Sequence, residues 1–310
     1  MPEKVILTEI KNDIGRIILN RPEALNALNM ELVEQLSEVL HTWRDNPQVE
    51  KVIISANGRA FCSGGDLKMA YDAINRNDLD FADTFFRKEY SLNALIHHYP
   101  KPYIAILNGI TMGGGMGLSI HGSQRIVTEN AMLCMPETSI GFFPDVGGTY
   151  FLNQCPGSIG MFLGLTSFRM SPADALFAGL ATHYIESAKL DENFDLNACV
   201  TTIPGSYLEQ NYEEINKNFS KSSLAEIFSS LQNSSNQFAK DTLQKLNVLS
   251  PSSLNTAFTM LHNARNMTFD QAIETELEMS KYFVRHPDFK EGIRAAVIDK
   301  DQRPIWSHTL

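Results

Sequence analysis

The sequence lacks the features that mark membrane, metal-binding and nucleic-acid-binding proteins. No run of about 18 apolar residues occurs, so no membrane span is predicted. The four cysteines include no C-x-x-C pair, which leaves zinc and redox motifs unsupported and favours reduced thiols. They are Cys62, Cys134, Cys155 and Cys199. Lys and Arg number 26 against 36 Asp and Glu, and the formal net charge of -10 argues against a nucleic-acid partner.

The amino terminus also lacks the pattern of a cleaved targeting segment. The first twenty residues, MPEKVILTEIKNDIGRIILN, enter directly into the alternation of a strand. They contain neither the apolar run of a signal peptide nor the Arg enrichment of a transit peptide. We therefore expect an intracellular protein that is either cytosolic or carries a targeting segment outside the given sequence.

Strands and helices alternate along the first two thirds of the chain. Apolar runs predict strands at 5–10, 15–19, 51–56 and 102–107, with weaker strands near 125–129 and 181–185. Helical spacing of apolar residues predicts helices at 30–45, from about 66, and at about 79–97. This order predicts a mixed α/β core.

From about residue 205 the pattern changes to helices alone. Five helices are predicted, at roughly 222–232, 236–247, 251–265, 269–285 and 288–300. The sequence contains no repeat of fixed period and no long linker. We therefore predict an α/β core over 1–204, which carries the ligand site, and a helical region over 205–310 that packs on this core.

Two glycine-rich loops each follow a buried strand and precede a helix. The first, NGRAFCSGGD, offers the N–H groups of Ser63, Gly64 and Gly65, and the second, NGITMGGGMG, offers those of 113–115. Glycine lets the backbone approach a ligand closely, and N–H groups at a helix start have no intrahelical acceptor. Two such donors can form an oxyanion hole, and close helix packing is the alternative. Neither loop matches a P-loop or a dinucleotide-binding fingerprint.

Three acidic residues have apolar surroundings. In CMPETSIGFFPDVGGTY, Glu137 and Asp145 stand among apolar, small and turn-forming residues. Glu89 lies four residues after Phe85, on the apolar stripe of its predicted helix. A desolvated carboxylate needs a partner or a function, such as proton transfer or nucleophilic attack. A turn, a cap or an ion pair is the alternative for each acid alone.

Together these motifs resemble the crotonase (enoyl-CoA hydratase/isomerase) superfamily. The resemblance covers nearly the whole chain, and it is carried by LNRPEALNALN, GRAFCSGGD, KPYIAILNGITMGGGMGLSIHG and MPETSIGFFPDVGGTYFL. LTSFRMSPADALFAGLATHYI and DFKEGIRAAVIDKDQRPIW are similar to the branch that hydrolyses 3-hydroxyisobutyryl-CoA. The resemblance implies an α/β fold, a crotonase-type spiral of ββα units with a helical C-terminal region, and an acyl-CoA thioester as the small-molecule partner.

The resemblance also implies roles for individual residues. It assigns the oxyanion hole to the backbone N–H groups of Ser63 and Gly114. Hydratases of this family carry a second catalytic glutamate where this chain has Gly117, which argues against hydration. Glu137 matches the remaining glutamate and is expected to attack the thioester carbon or to activate water for that attack.

Further residues are expected to bind the substrate. Asp145 matches an acid specific to the hydrolase branch, which orients the substrate hydroxyl or supplies a proton to the leaving thiolate. Glu89 matches an active-site acid that contacts substrate. The expected CoA contacts are Glu23, Ala24, Leu25, Asn26, Arg59 and Phe61. No metal and no separate cofactor are implied, because coenzyme A is part of the substrate.

The predicted reaction is hydrolysis of 3-hydroxyisobutyryl-CoA, or a similar short 3-hydroxyacyl-CoA, in valine breakdown. By the same resemblance the protein is expected in the mitochondrial matrix of a eukaryote and otherwise in the cytoplasm. The alternatives are another crotonase reaction on an enoyl-CoA, such as hydration or isomerisation, and acyl-CoA binding without catalysis. A homo-oligomer is compatible with the sequence.

Overall fold

A computed structural model describes residues 4–190 and 198–307 of the chain. Its strands are β1 (Ile6–Lys11), β2 (Ile14–Leu19), β3 (Lys51–Ala56), β4 (Ala60–Cys62), β5 (Tyr103–Leu107), β6 (Ile110–Met112), β7 (Gln124–Val127), β8 (Met132–Cys134) and β9 (His183–Tyr184). Six strands form a sheet in the order β1-β2-β3-β5-β7-β9, and three form a smaller sheet in the order β4-β6-β8. Apart from the antiparallel β1–β2 hairpin, neighbouring strands run parallel.

The helices in the first two thirds are α1 (Met30–Arg44), α2 (Leu67–Asn75), α3 (Leu79–His97), α4 (Gly114–Ser119), α5 (Gly148–Leu152), α6 (Ile159–Thr166) and α7 (Pro172–Phe177). Those that follow are α8 (Tyr207–Gln210), α9 (Tyr212–Phe219), α10 (Leu224–Gln232), α11 (Gln237–Leu246), α12 (Pro251–Asn263), α13 (Phe269–Phe283) and α14 (Pro287–Ile293). The five helices predicted after residue 220 correspond to α10 to α14.

A ββα order repeats along the chain. In each repeat a longer strand joins the large sheet, a short strand joins the small sheet, and a helical segment follows. The repeats are β3-β4-α2, β5-β6-α4, and β7-β8 followed by the 3₁₀ turn Glu137–Ile140. The mixed α/β class and the crotonase-type ββα arrangement are thereby confirmed.

The amphipathic helix α1 shows how the sequence builds the first layer. The Asn29 side chain caps it by accepting the N–H of Leu32 at 2.9 Å. Its buried side chains follow helical spacing and are Leu32, Val33, Leu36, Leu40 and Trp43. The Trp43 ring covers Gly15 of β2, where a Cβ would lie 2.5 Å from the nearest ring atom. A residue with a side chain at this point of the strand would push α1 off the sheet.

The chain forms two compact units, each built from three segments. The first contains the described parts of Met1–Asp66, Arg87–Cys134 and Arg169–Ser206, and it includes all the strands given above. The second contains Leu67–Phe86, Met135–Phe168 and the described part of Tyr207–Leu310, and it is helical. The division into 1–204 and 205–310 stays a prediction, and residues 67–86 and 135–168 group with the C-terminal helices.

All four cysteines are free thiols, as the sequence indicated. Three are buried, and burial raises the pKa of Cys62 and of Cys155 to about 12. Thiols with such pKa values stay protonated and are poor nucleophiles. Within the described ranges, no helix has the length and apolar character needed to cross a membrane.

Candidate active site

The two glycine loops lie at neighbouring positions in the first unit. They follow β4 and β6, which are parallel partners in the small sheet, so both loops leave the same edge. Gly64 has a φ of +104° and Gly113 a φ of +48°, values that L-residues with side chains rarely adopt. These two glycines orient the peptide groups that follow them, which carry the N–H groups of Gly65 and Gly114.

The structure corrects the assignment of Ser63 as an oxyanion donor. The Ser63 N–H donates to the carbonyl of Leu25 at 3.1 Å and is therefore engaged. Across the described ranges, by contrast, the N–H groups of Gly65 and Gly114 donate to no backbone or side-chain acceptor. A Cβ on Gly114 would lie 3.4 Å from the Gly65 nitrogen, so the two residues are adjacent. The available donor pair is Gly65 and Gly114.

The Glu89 carboxylate lies beside Gly114. Glu89 is 2% exposed on α3. A Cβ on Gly114 would collide with its Oε1 and lie 2.7 Å from Cδ1 of Leu28. The prediction that Glu89 lies on a buried helix face is confirmed, and the first unit holds this acid next to one of the two donors. Its contact with substrate stays a prediction.

Glu137 begins a 3₁₀ turn in the second unit. It follows Pro136, is 4% exposed, and its carbonyl accepts the N–H of Phe142 at 3.0 Å. The next side chain anchors the turn, since the Thr138 hydroxyl donates to the carbonyl of Leu165 at 3.2 Å. The buried setting expected for Glu137 from its sequence neighbours is present, and the backbone that carries it is fixed.

Helix α14 fits closely against the Glu137 turn because two glycines allow it. A Cβ on Gly141 would collide with the backbone of Asp288. A Cβ on Gly292 would collide with the backbone of Ile140. Gly141 also has a φ of +74°, which ends the 3₁₀ turn in a left-handed residue. The C-terminal helical region therefore holds the segment that carries Glu137.

Aromatic rings enclose the stretch between the two acids. Phe142 and Phe143 stack with centroids 4.6 Å apart, and Phe142 lies 4.7 Å from Phe289 of α14. Phe283 of α13 meets Phe142 edge-on at 5.6 Å. Residues 141–145 are buried, so these rings give the segment between the two acids an apolar frame.

Asp145 begins a tight turn in the second unit. It is 5% exposed, and its carbonyl accepts the N–H of Gly148 at 2.7 Å. The two central residues, Val146 and Gly147, have φ values of +54° and +80°. Positive φ at both central positions is the pattern of a type I′ turn. The helix α5 then starts at Gly148.

A fourth buried acid, which was not predicted from the sequence, holds this turn. Glu276 of α13 is 0% exposed. Its Oε2 accepts the N–H of Gly147 at 2.6 Å, and its Oε1 accepts the N–H and the hydroxyl of Thr149 at 2.9 and 2.5 Å. Glu276 falls on the apolar side of a predicted helix, as Glu89 does. This position could have indicated from the sequence that Glu276 is a buried acid.

The pKa of Glu276 predicts how stability depends on pH. Desolvation raises this pKa to about 8, the three hydrogen bonds oppose the shift, and the Asp145 charge adds to it. An unfolded glutamate titrates near ~4.3, so between pH ~5 and ~8 only the folded protein keeps this proton. The free energy of unfolding should therefore fall as pH rises through this range. In wild type this decline should be on the order of a few kcal/mol, and urea unfolding of Glu276→Gln at several pH values should show no such decline. Equal pH profiles for the two proteins would contradict the raised pKa.

Two of the residues predicted to contact CoA have side chains buried inside the protein. Asn26 is fully buried, and its amide donates to the carbonyls of Asn57 and Ala60, each at 2.9 Å. Phe61 is 1% exposed within the first unit. The side chains of Asn26 and Phe61 are therefore buried inside the protein, and a contact between their backbone and CoA stays a prediction.

The other predicted CoA contacts are accessible. Glu23 and Arg59 are exposed, and Ala24 and Leu25 are half-buried. Leu25 has a left-handed φ of +52°, and its carbonyl accepts the Ser63 N–H. This segment therefore holds the first glycine loop in place, and CoA binding by its exposed residues stays a prediction.

Two sheets built from repeated ββα units, with two glycine N–H donors at the edge of the smaller sheet, define a crotonase-type protein. The sequence model of the Enoyl-CoA hydratase/isomerase family matches residues 14–310, and the chain belongs to this family.

Similar proteins carry names from more than one reaction class. The chain is 41% identical to 3-hydroxyisobutyryl-CoA hydrolase, mitochondrial, of Xenopus tropicalis, over 96% of this chain and 82% of that protein. It is 39% identical to the Homo sapiens protein of the same name, over 97% of this chain and 83% of that one. A crystal structure described as an enoyl-CoA hydratase from Rhodobacter sphaeroides 2.4.1 superposes with a TM-score of 0.90 at 37% identity, over 98% and 92% of the two chains.

Proposed function

We infer that this chain is an enzyme that hydrolyses the thioester of 3-hydroxyisobutyryl-CoA to the free hydroxy acid and CoA. The observation that carries the chemistry is the pair of N–H donors at Gly65 and Gly114, which no acceptor among the described residues engages. The substrate follows from the relatives named as hydrolases at 39–41% identity. Valine breakdown, in which this thioester arises, is the corresponding pathway.

The donor pair stabilises charge that develops during the reaction. When the thioester carbon is attacked, its oxygen becomes negative, and the N–H groups of Gly65 and Gly114 donate to it. Each such donor is worth roughly 10²–10³ in turnover. Because both are backbone groups in rigid loops, they need no reorganisation as the charge appears.

Glu137 supplies the attack on the carbonyl carbon. It either takes a proton from a water whose oxygen forms the new C–O bond, or forms that bond itself and yields an anhydride that water then hydrolyses. In both routes the C–S bond breaks and CoA leaves as a thiolate that takes up a proton. The presence of Gly117, where hydratases have a second glutamate, favours this reaction over hydration of a double bond.

Asp145 and Glu89 orient the substrate in this proposal. Asp145 accepts a hydrogen bond from the 3-hydroxyl group, and Glu89, beside Gly114, contacts the acyl portion. The exposed residues Glu23 and Arg59 contact CoA. The reaction requires no metal or separate cofactor. The relatives' names include the word mitochondrial, and we propose the mitochondrial matrix if the source is eukaryotic.

Loss of hydroxyl recognition is the expected result of Asp145→Asn. Wild type should prefer 3-hydroxyisobutyryl-CoA to isobutyryl-CoA, which lacks the hydroxyl. A hydrogen bond to a charged group is worth about 1.5–3 kcal/mol, so the variant should lose roughly 10- to 100-fold of this preference in kcat/KM. Thiol release from each substrate measures it. An unchanged preference, with both rates reduced equally, would assign Asp145 to protonation of the leaving thiolate instead.

A further inference from the structure

The turn that carries Asp145 contains an unfavourable residue. Val146 occupies the first central position of the type I′ turn with a φ of +54°. This position normally takes Asn, Asp or Gly, because a β-branched side chain crowds the backbone in the left-handed region. The conformation is therefore strained for a residue with a side chain. Val146 is 1% exposed, and the burial of its apolar side chain offsets part of this strain.

Such a conformation persists only where its surroundings impose it. Here the peptide between Val146 and Gly147 is held by its N–H, which donates to Oε2 of Glu276 at 2.6 Å. Two residues further, the backbone N–H and the hydroxyl of Thr149 donate to Oε1 of the same carboxyl group. Glu276 therefore bridges the turn and the first residues of α5.

The bridge fixes the direction of Asp145. Asp145 is the first residue of the turn, and its own carbonyl closes the turn onto Gly148. If Val146 returned to negative φ, the peptide at Gly147 would rotate, and the side chain one residue earlier would change direction. Helix α13, which carries Glu276, packs against α5, so the acceptor is anchored outside the turn.

We propose that Glu276 is a positioning residue, which holds Val146 in the left-handed turn and thereby aims the Asp145 carboxylate at the substrate. The proposal rests on the proposed function, because Asp145 acts on substrate there. Glu276 itself contacts the turn and not the reacting atoms. Its chemical requirement is two oxygens that can each accept a hydrogen bond. A carboxyl group provides both whether or not it carries a proton, and a glutamine provides only one.

The first test compares Glu276→Gln with Asp145→Asn. Gln keeps the shape of the side chain but can accept from the Gly147 side or the Thr149 side, not both. Misplacement of an active group by about 1 Å can cost up to ~10²-fold. We expect Glu276→Gln to lose roughly 10- to 100-fold in kcat/KM for 3-hydroxyisobutyryl-CoA and to reproduce the Asp145→Asn pattern with isobutyryl-CoA. Glu278→Gln is the control, since Glu278 is on the same helix, exposed, and paired with Lys281 at 2.5 Å.

The second test relieves the strain directly. Val146→Gly lets the turn adopt positive φ without cost, so Glu276 is no longer needed to impose it. The effect of Glu276→Gln should therefore shrink to within about threefold when it is measured in the Val146→Gly background, as a double-mutant cycle. The double variant also keeps the test available if Glu276→Gln alone fails to fold. An undiminished effect in the glycine background would overturn the proposal.

A third measurement does not depend on activity. Hydrogen exchange of the Gly147 and Thr149 amides should be faster in Glu276→Gln than in wild type, and unchanged in Glu278→Gln. If wild type hydrolyses the substrate, and Glu276→Gln matches wild type in both hydrolysis rate and amide exchange, the positioning role is overturned and the proposed function is not. Faster exchange in Glu276→Gln, in a protein that releases no thiol from 3-hydroxyisobutyryl-CoA, would support the role of Glu276 in the turn and overturn the proposed function.

Discussion

Glu137→Gln should lower kcat for thiol release from 3-hydroxyisobutyryl-CoA by roughly 10²–10⁴-fold, the range for loss of a catalytic base. The amide has the shape of the carboxyl group but can neither deprotonate water nor attack a carbonyl. Thr138 and the close contacts of Gly141 and Gly292 hold the backbone of this turn without the Glu137 side chain. The variant should therefore fold, and its KM should change much less than its kcat.

Asp174→Asn is the matched control for loss of a buried acid. Asp174 is 3% exposed, and its oxygens accept the Ser171 hydroxyl at 2.7 Å and the Ser206 hydroxyl at 2.9 Å. Its replacement should reduce stability and leave kcat near that of wild type. Full activity of Glu137→Gln would remove Glu137 from the reaction. Label in the Glu137 carboxyl group after a single turnover in ¹⁸O water would identify direct attack, with water opening the anhydride at the Glu137 carbon.

Gly114→Ala should abolish most activity while the protein stays folded. The added methyl group would collide with the Glu89 carboxylate and meet Cδ1 of Leu28. Both are ends of flexible side chains that can move, so overpacking should cost only about 1–3 kcal/mol. However, Glu89 is displaced and the methyl group sits 3.4 Å from the Gly65 nitrogen. Loss of donor geometry should reduce kcat by roughly 10²–10³-fold.

Gly115→Ala, one residue away, is expected to reduce stability more than Gly114→Ala does. A Cβ there would collide with the backbone carbonyl oxygen of Cys62 and lie 3.0 Å from its carbon, and a backbone in a sheet cannot move aside. Thermal unfolding should show a larger loss of stability for Gly115→Ala than for Gly114→Ala. If Gly114→Ala retains wild-type kcat and folds normally, the assignment of the donor pair is wrong.

Much of the fold could be predicted from the sequence because apolar spacing is a local signal. Helix α1 and strand β3 lie within a residue or two of their predicted limits. The strands β4, β6 and β8 could not be predicted. Each has only three residues, which is too few to show an alternating pattern, and each is stabilised by pairing with a parallel partner. Helix α6 was also not predicted, since it is buried on every side and has no polar face to set a period.

The candidate site was predictable as a list of residue types but not as a set of hydrogen bonds. Glu137, Asp145 and Glu89 are buried, as their apolar neighbours indicated. The choice between Ser63 and Gly65 depends on which N–H the Leu25 carbonyl engages, and that carbonyl comes from a segment nearly forty residues earlier. Glu276 acts on a turn about 130 residues away in sequence, a pairing that local patterns do not encode.

The most direct test of the proposed thioester hydrolysis measures two quantities with the purified wild-type protein. Free thiol is measured with 3-hydroxyisobutyryl-CoA as substrate, and enoyl absorbance is measured with methacrylyl-CoA. We expect one thiol per 3-hydroxyisobutyryl-CoA consumed, with the free hydroxy acid as the other product, and little loss of enoyl absorbance. Rapid loss of enoyl absorbance without thiol release from either substrate would contradict this expectation and would assign a hydratase.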